Sequence, residues 1–266
     1  MSELAEGLLS EIKEGVLTLT LNRQREGNAL THETAERLLS SLVKAEKDAL
    51  IRLVVLQGAG HSFCSGVSAE VLKRRREAPA APSAGDDLRK LFNPLIRQIR
   101  LMEKPVVASV NGLAAGIGAT LCFACDVKVC SVTAKFVVNA AQLGLVPDAG
   151  VAHMLVRSIG LSLALVHAWT AKPFSARQAE EFGLVNAVVP SDELAKATRG
   201  VVERILAAPP RAVALTKRVF ERALVNDLDA QLDYEGHVQD ALGKTADHRE
   251  GVASLLDGRP PRFTGG

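Results

Sequence analysis

The 266-residue sequence predicts an α/β fold with a helical C-terminal region. Strand-like and helix-like patterns alternate through the first half, the alternation repeats, and strand signals fade after Val189.

The elements follow in order. GVLTLTLN (15–22) sets Val16, Leu17, Leu19 and Leu21 among threonines, the pattern of a strand. HETAERLLSSLVKAEKD (32–48) is an amphipathic helix with Leu38, Leu39, Leu42 and Val43 on one side. RLVVLQG (52–58) is a short apolar run closed by Gly58, as in a buried strand. A second cycle repeats this: a helix near 87–102, the strand PVVASVNG (105–112), a helix from about Ala115 and the strand DVKVCS (126–131). KRRREAPAAPSAGDD (73–87), with Pro79, Pro82 and Gly85, predicts a mobile surface loop. Ser175 and Gln178 form a capping box for the helix ARQAEEFG, which Gly183 ends. Helices dominate 191–256, which divides the chain into a core of 1–190 and a helical region of 191–266.

Composition limits the function classes. The formal charge is +2, hydrophobic residues make 47% and aromatics only 4%, so nothing calls for a nucleic-acid partner. The N-terminal MSELAEGLLSEIKEG lacks the basic-then-apolar order of a signal peptide. Residues 105–125 are uncharged and long enough for a membrane, but Asn111, Gly112, Gly116 and Gly118 and a change of periodicity predict a strand, a turn and a buried helix. Cys122 and Cys125 have C-x-x-C spacing inside the apolar run GATLCFACD. Without a second cysteine pair or paired histidines, they read with Cys64 and Cys130 as reduced core residues, in keeping with a cytoplasmic protein.

Chemistry concentrates in three segments. GLAAGIGA (112–119) lacks the third glycine of a dinucleotide fingerprint and the lysine of a phosphate-binding loop. As a strand–turn–helix junction it would either expose the first amides of a helix to an oxyanion or merely pack helix on strand closely. GAGHSFCSGVSAEVL (58–72), with Gly58, Gly60 and Gly66 before a helix near Ser68, is a second such junction. Two junctions would aim two N–H donors at one oxygen. In AQLGLVPDAGVAHML (141–155), Asp148 opens a helix. It fits an N-cap, or a general base if Leu143, Leu145 and Val146 raise its pKa.

FCSGVSAEVL (63–72) and KPVVASVNGLAAGIGATLCFACDVKV (104–129) resemble the two signatures of the crotonase (enoyl-CoA hydratase/isomerase) superfamily, and FGLVNAVV (182–189) and REGVASLLDGRPPRF (249–263) look like its later segments. The resemblance implies a crotonase (ClpP-like) spiral of ββα units and a trimer or hexamer joined through the C-terminal helices. It places the oxyanion amides on Val67 and Ile117, and puts Thr120 and Ala140 at the positions of the two hydratase glutamates. Neither can be a base, which disfavours hydration. The L-G-L-V-P-D-x-G context of Asp148 resembles the isomerase branch, including isomerases of the phenylacetyl-CoA pathway.

The implied reaction is a double-bond shift in an unsaturated acyl-CoA, with Asp148 as acid/base. CoA comes with the substrate, and neither metal nor separate cofactor is required. Hydration, hydrolysis, decarboxylation, nucleophilic attack by the carboxylate and a non-catalytic acyl-CoA- or RNA-binding role are the alternatives. Substrate-binding positions carried over are Arg23, Ala29, Ser65, Gly66, Ser68, Ala69, Gly116, Thr120 and Ala140. Arg23, Arg25 and the KRRRE run (73–77) are candidates for the CoA nucleotide, the run reading otherwise as a solvated helix face; Glu70 is a spare acid. His61 reads as a turn residue, His153 and His167 as structural.

Overall fold

The computed structural model describes residues 7–77 and 83–266. β1 (Gly7–Lys13) and β2 (Val16–Asn22) form an antiparallel hairpin whose alternation turns Leu17, Leu19 and Leu21 inward. α1 (His32–Lys47) opens on Thr31, whose hydroxyl accepts the Thr34 amide at 3.1 Å, and buries Leu38 and Leu42. β3 (Leu53–Gly58) and β4 (Ser62–Cys64) lead into α2 (Ala69–Glu77), and α3 (Ala84–Asp87) runs through a π-helical turn at 88–92 into α4 (Asn93–Leu101). β5 (Val106–Val110) and β6 (Leu113–Ala115) precede α5 (Ile117–Ala124). β7 (Val127–Ser131), β8 (Lys135–Val137) and a 3-10 turn at 140–143 precede α6 (Val151–Thr170).

Three times the chain lays one strand in a large sheet and the next in a small one, then adds a helix. The large sheet has the order β1-β2-β3-β5-β7 and closes with β10 (Ala187–Val189); the small one has β4-β6-β8 and closes with β9 (Phe174–Ser175). β2, β3, β5, β7 and β10 pair in parallel, as do β4, β6 and β8. Their central strands are buried continuously because both faces are covered: every residue of β5 is buried. This repetition is the predicted spiral of ββα units. The segment 105–125 folds as β5 and α5, the expected strand and buried helix, with the short strand β6 between them where only a turn was expected.

α7 (Ala176–Glu181) carries the Ser175–Gln178 capping box, and Gly183 follows it at φ 72°. α8 (Leu194–Leu206), α9 (Pro210–Ala223), α10 (Leu228–Leu242) and α11 (Ala246–Asp257) complete the chain. Two compact units emerge, one of residues up to 102 with 106–199, the other of 103–105 with 200–266. In the second, buried Asp247 accepts the amides of Thr264 and Gly265 at 2.7 and 2.8 Å, fixing the C-terminal strap on α11.

The predicted loop at 73–87 is corrected. Residues 73–77 continue α2 and 84–87 form α3, while 78–82 lie outside the described residues. Ser83 and Asp86 make a reciprocal capping box, and Asp87 accepts Arg75 Nε at 3.1 Å and Nη2 at 2.5 Å, so a helix cap and a part-buried ion pair fix 73–77 and 83–87, whose composition suggested a loop. α6 has the length and hydropathy to cross a bilayer, but Gly160 (φ 75°, ψ 164°) breaks it into two shorter helices.

Candidate active site

The site grows from two parallel strands ending side by side. β4 pairs with β6, so the chain leaves both at the same edge of the small sheet. Gly66 follows β4 at φ 113° and Gly116 follows β6 at φ 51°, conformations that admit L side chains only with strain. The two turns touch: a Cβ on Gly116 would stand 4.0 Å from Gly66 Cα, and one on Gly66 would stand 3.2 Å from the Ala115 carbonyl oxygen.

Each glycine is followed by an amide with no backbone acceptor among the described residues. Around Val67, the Leu30 amide donates to Gly66 and the Ser68 amide to Leu30, at 2.8 and 2.9 Å, so the Val67 N–H takes no part in the bridge. Ile117 is the first residue of α5, where an amide has no intrahelical partner and meets the positive end of the helix dipole. Val67, Ile117, Gly66 and Gly116 all line one cavity of about 240 Å³, completed by Ser65, Leu72, Arg75, Ala84, Leu88, Phe92, Asn139, Ala140, Leu143, Leu145 and Asp148.

Asp148 is the only carboxylate on that wall among the described residues. It is not an N-cap: Gly150 holds that position of α6, and the Asp148 contribution is its carbonyl, which accepts the Val151 amide at 3.0 Å. Ala149 at φ 49° and Gly150 at φ 88° turn the backbone through two successive left-handed residues just after it, one a strained, buried alanine. Burial pushes the Asp148 carboxyl above its ordinary range, while the Arg75 guanidinium pulls it down less strongly. Leu143 and Leu145 share the cavity as expected, but Val146 does not; it is 76% exposed.

Of the other expected substrate positions, Ser65, Gly66, Gly116 and Ala140 line the cavity. Ser68 is buried and its hydroxyl accepts the Val71 amide, starting α2; Ala69 is exposed and Ala29 buried away from the cavity wall. Thr120, 1% exposed, turns its hydroxyl back on the Gly116 carbonyl at 3.3 Å instead of facing the cavity. Arg23 lies outside it, with a buried Nε that has no hydrogen-bond partner among the described residues. Arg25 and Glu70 are exposed, as are Lys73, Arg74 and Arg76, whereas Arg75 turns inward.

His61 sits on an exposed turn, His153 bonds Arg157, and His167 stacks on Phe174 and bonds the Lys172 carbonyl. All four cysteines are free and buried; the Cys64 thiol is pushed up to about 12 by burial, which disqualifies it as a nucleophile beside the site. Asn139 and the apolar wall of Leu88 and Phe92 went unnoticed in the sequence. Only the position of Asn139 before Ala140 could have pointed to it.

Comparison with known proteins agrees with this architecture. The family model described as enoyl-CoA hydratase/isomerase matches residues 11–266. The 1,2-epoxyphenylacetyl-CoA isomerase of Escherichia coli K12 is 38% identical, covering 98% of this chain and 100% of its own. The short-chain-enoyl-CoA hydratase of Clostridium acetobutylicum is 31% identical, covering 93% and 94%. The crystal structure of an enoyl-CoA hydratase from Polaromonas sp. JS666 superposes with a TM-score of 0.91 at 32% identity, covering 97% of this chain and 99% of its own. The chain belongs to the enoyl-CoA hydratase/isomerase family and has the crotonase fold.

Proposed function

We propose that this enzyme shifts a double bond in an unsaturated acyl-CoA, with Asp148 as the single acid/base. The observation that carries the reading is that one small cavity is lined by Asp148, its only carboxylate among the described residues, and by the Val67 and Ile117 amides, which have no backbone acceptor there. The thioester oxygen accepts the Val67 and Ile117 N–H groups, which favour the enolate over the ground-state carbonyl. Ionised Asp148 removes a proton from the carbon flanking the double bond, the electrons delocalise into the thioester as a dienolate, and the protonated carboxyl returns that proton two carbons away. Nothing is consumed, so the reaction needs no metal, redox cofactor or second carboxylate.

A cavity of about 240 Å³ is smaller than the roughly 300–1,000 Å³ of drug-sized sites, which suits an acyl group with the nucleotide end of CoA outside. Arg23, half-buried beside β2 with its Nε 4.0 Å from the Glu26 carboxylate, is the candidate contact for the CoA phosphates. The named isomerase relative supports this choice, and alanine and an inward-tied threonine where hydration would need glutamates weigh against hydration. Exposed Phe220, Leu228, Leu255 and Leu256 on α9–α11 support assembly of copies through this region. The free buried thiols suit a reducing cytoplasm.

The test is a panel of 2- and 3-enoyl-CoA thioesters followed by absorbance and mass. Double-bond migration without mass change is expected. A product heavier by one water from every tolerated substrate would replace isomerase with hydratase.

A further inference from the structure

Arg75 is out of place in this cavity. Besides Ser65, Asn139 and Asp148, the side chains that line it with Arg75 are apolar, among them Leu72, Leu88, Phe92, Leu143 and Leu145. A plain hydrocarbon acyl chain would fit these side chains, but laid against the guanidinium it would strip water from the remaining N–H groups and offer no acceptor in return. The residue is nevertheless held firmly. Its Nε and Nη2 both donate to one carboxylate oxygen of Asp87, which is 6% exposed and also bonds His32 Nε2 at 2.9 Å. Nη1 has no acceptor among the described residues. The fork is thus oriented by a buried partner with one pair of N–H donors unspent.

The charges decide what those donors can take. Asp87 already balances the guanidinium, and Asp148 lines the same cavity. A carboxylate on the acyl chain would meet Asp148 in the cavity and a guanidinium whose charge Asp87 already balances, whereas an uncharged oxygen meets no such repulsion. We propose that Arg75 is a specificity-determining residue for an acyl group carrying an uncharged acceptor oxygen (ether, epoxide, carbonyl or hydroxyl) beyond the reacting carbons. This rests on the acyl-CoA reading above.

The test is binding, which needs no turnover. A saturated straight-chain acyl-CoA is compared by calorimetry with isosteres in which one methylene is replaced by an ether oxygen, walked along the chain, and with a terminal carboxylate analogue. At one position the ether should bind wild-type protein about tenfold more tightly than the parent, the scale of one charge-assisted hydrogen bond. Arg75→Met should erase that preference while still binding the parent thioester. Arg75→Lys keeps a cation beside Asp87 but lacks the fork, and should lose most of it; this variant gives the reading if Arg75→Met fails to fold around the unpaired Asp87. Equal binding of parent and isosteres by the wild type, or a preference that survives both substitutions, overturns the proposal. Tighter binding of the carboxylate analogue overturns the choice of an uncharged oxygen. Failure of the parent and every isostere to bind removes the acyl-CoA reading along with it.

Discussion

Arg75 and Asp148 share one cavity wall, and the guanidinium lowers a carboxyl pKa that burial has raised. Asp148 must be ionised to take the first proton, so kcat/KM should rise with pH through its pKa and then level. In Arg75→Met the opposing charge is gone and the carboxyl rises further. The acid limb of the pH–rate profile should therefore move to higher pH. A limb that stays put, or moves to lower pH, would break the link between these residues.

The raised carboxyl also has a stability signature. Between the ordinary aspartate range and its raised value, the folded state binds more protons than the unfolded one, so stability falls as pH rises through that window. Asp148→Asn removes this loss. The variant should match wild type in strong acid and become the more stable as pH rises, in melts run across that range. A carboxylate stabilised at the start of α6 by the helix dipole would give the reverse, with the variant weaker at neutral pH because Asn lacks the charge.

Gly66→Ala tests the paired turns. The new methyl must tolerate φ 113° and stand 3.2 Å from the Ala115 carbonyl oxygen. Strain of this kind costs about 1–3 kcal/mol, and it displaces the amide of Val67. Denaturant melts should show that loss, together with a fall in kcat of about 10²–10³-fold from a misplaced donor. Activity preserved at full level would mean that the Val67 N–H is not part of the site.

Much of this was legible in the sequence because the long elements announce themselves. β2 alternates, β3 and β5 are continuous apolar runs, and α1 has one apolar face. β4, β6 and β8 have three residues each, too few to show a period, so the small sheet that aligns the two glycine turns was invisible as a sheet. The second unseen feature is Arg75. In a run of like charges its neighbours are solvated, and only the fold brings Asp87, twelve residues on and beyond the proline-rich stretch, to turn that one side chain inward. Thr120 shows the converse. The family resemblance puts it at a site position, but its buried hydroxyl bonds the Gly116 carbonyl at the start of its own helix.

Thr120 and Ala140 should therefore respond differently to glutamate. Ala140 is half-buried on the cavity wall, and Ala140→Glu should fold with stability close to wild type. Thr120→Glu forces a carboxylate into a 1%-exposed position and should cost about 3–5 kcal/mol in a urea titration, the scale of an uncompensated buried charge. Equal tolerance at both positions would show that Thr120 reaches the cavity after all.

The most direct measurement is the rate of double-bond migration by Asp148→Asn on the best thioester of the panel, beside its affinity for a saturated acyl-CoA. The rate should fall by about 10²–10⁴-fold, the usual contribution of a general acid/base, with affinity essentially unchanged. Migration at the wild-type rate by a folded Asp148→Asn protein would contradict the single-carboxylate mechanism.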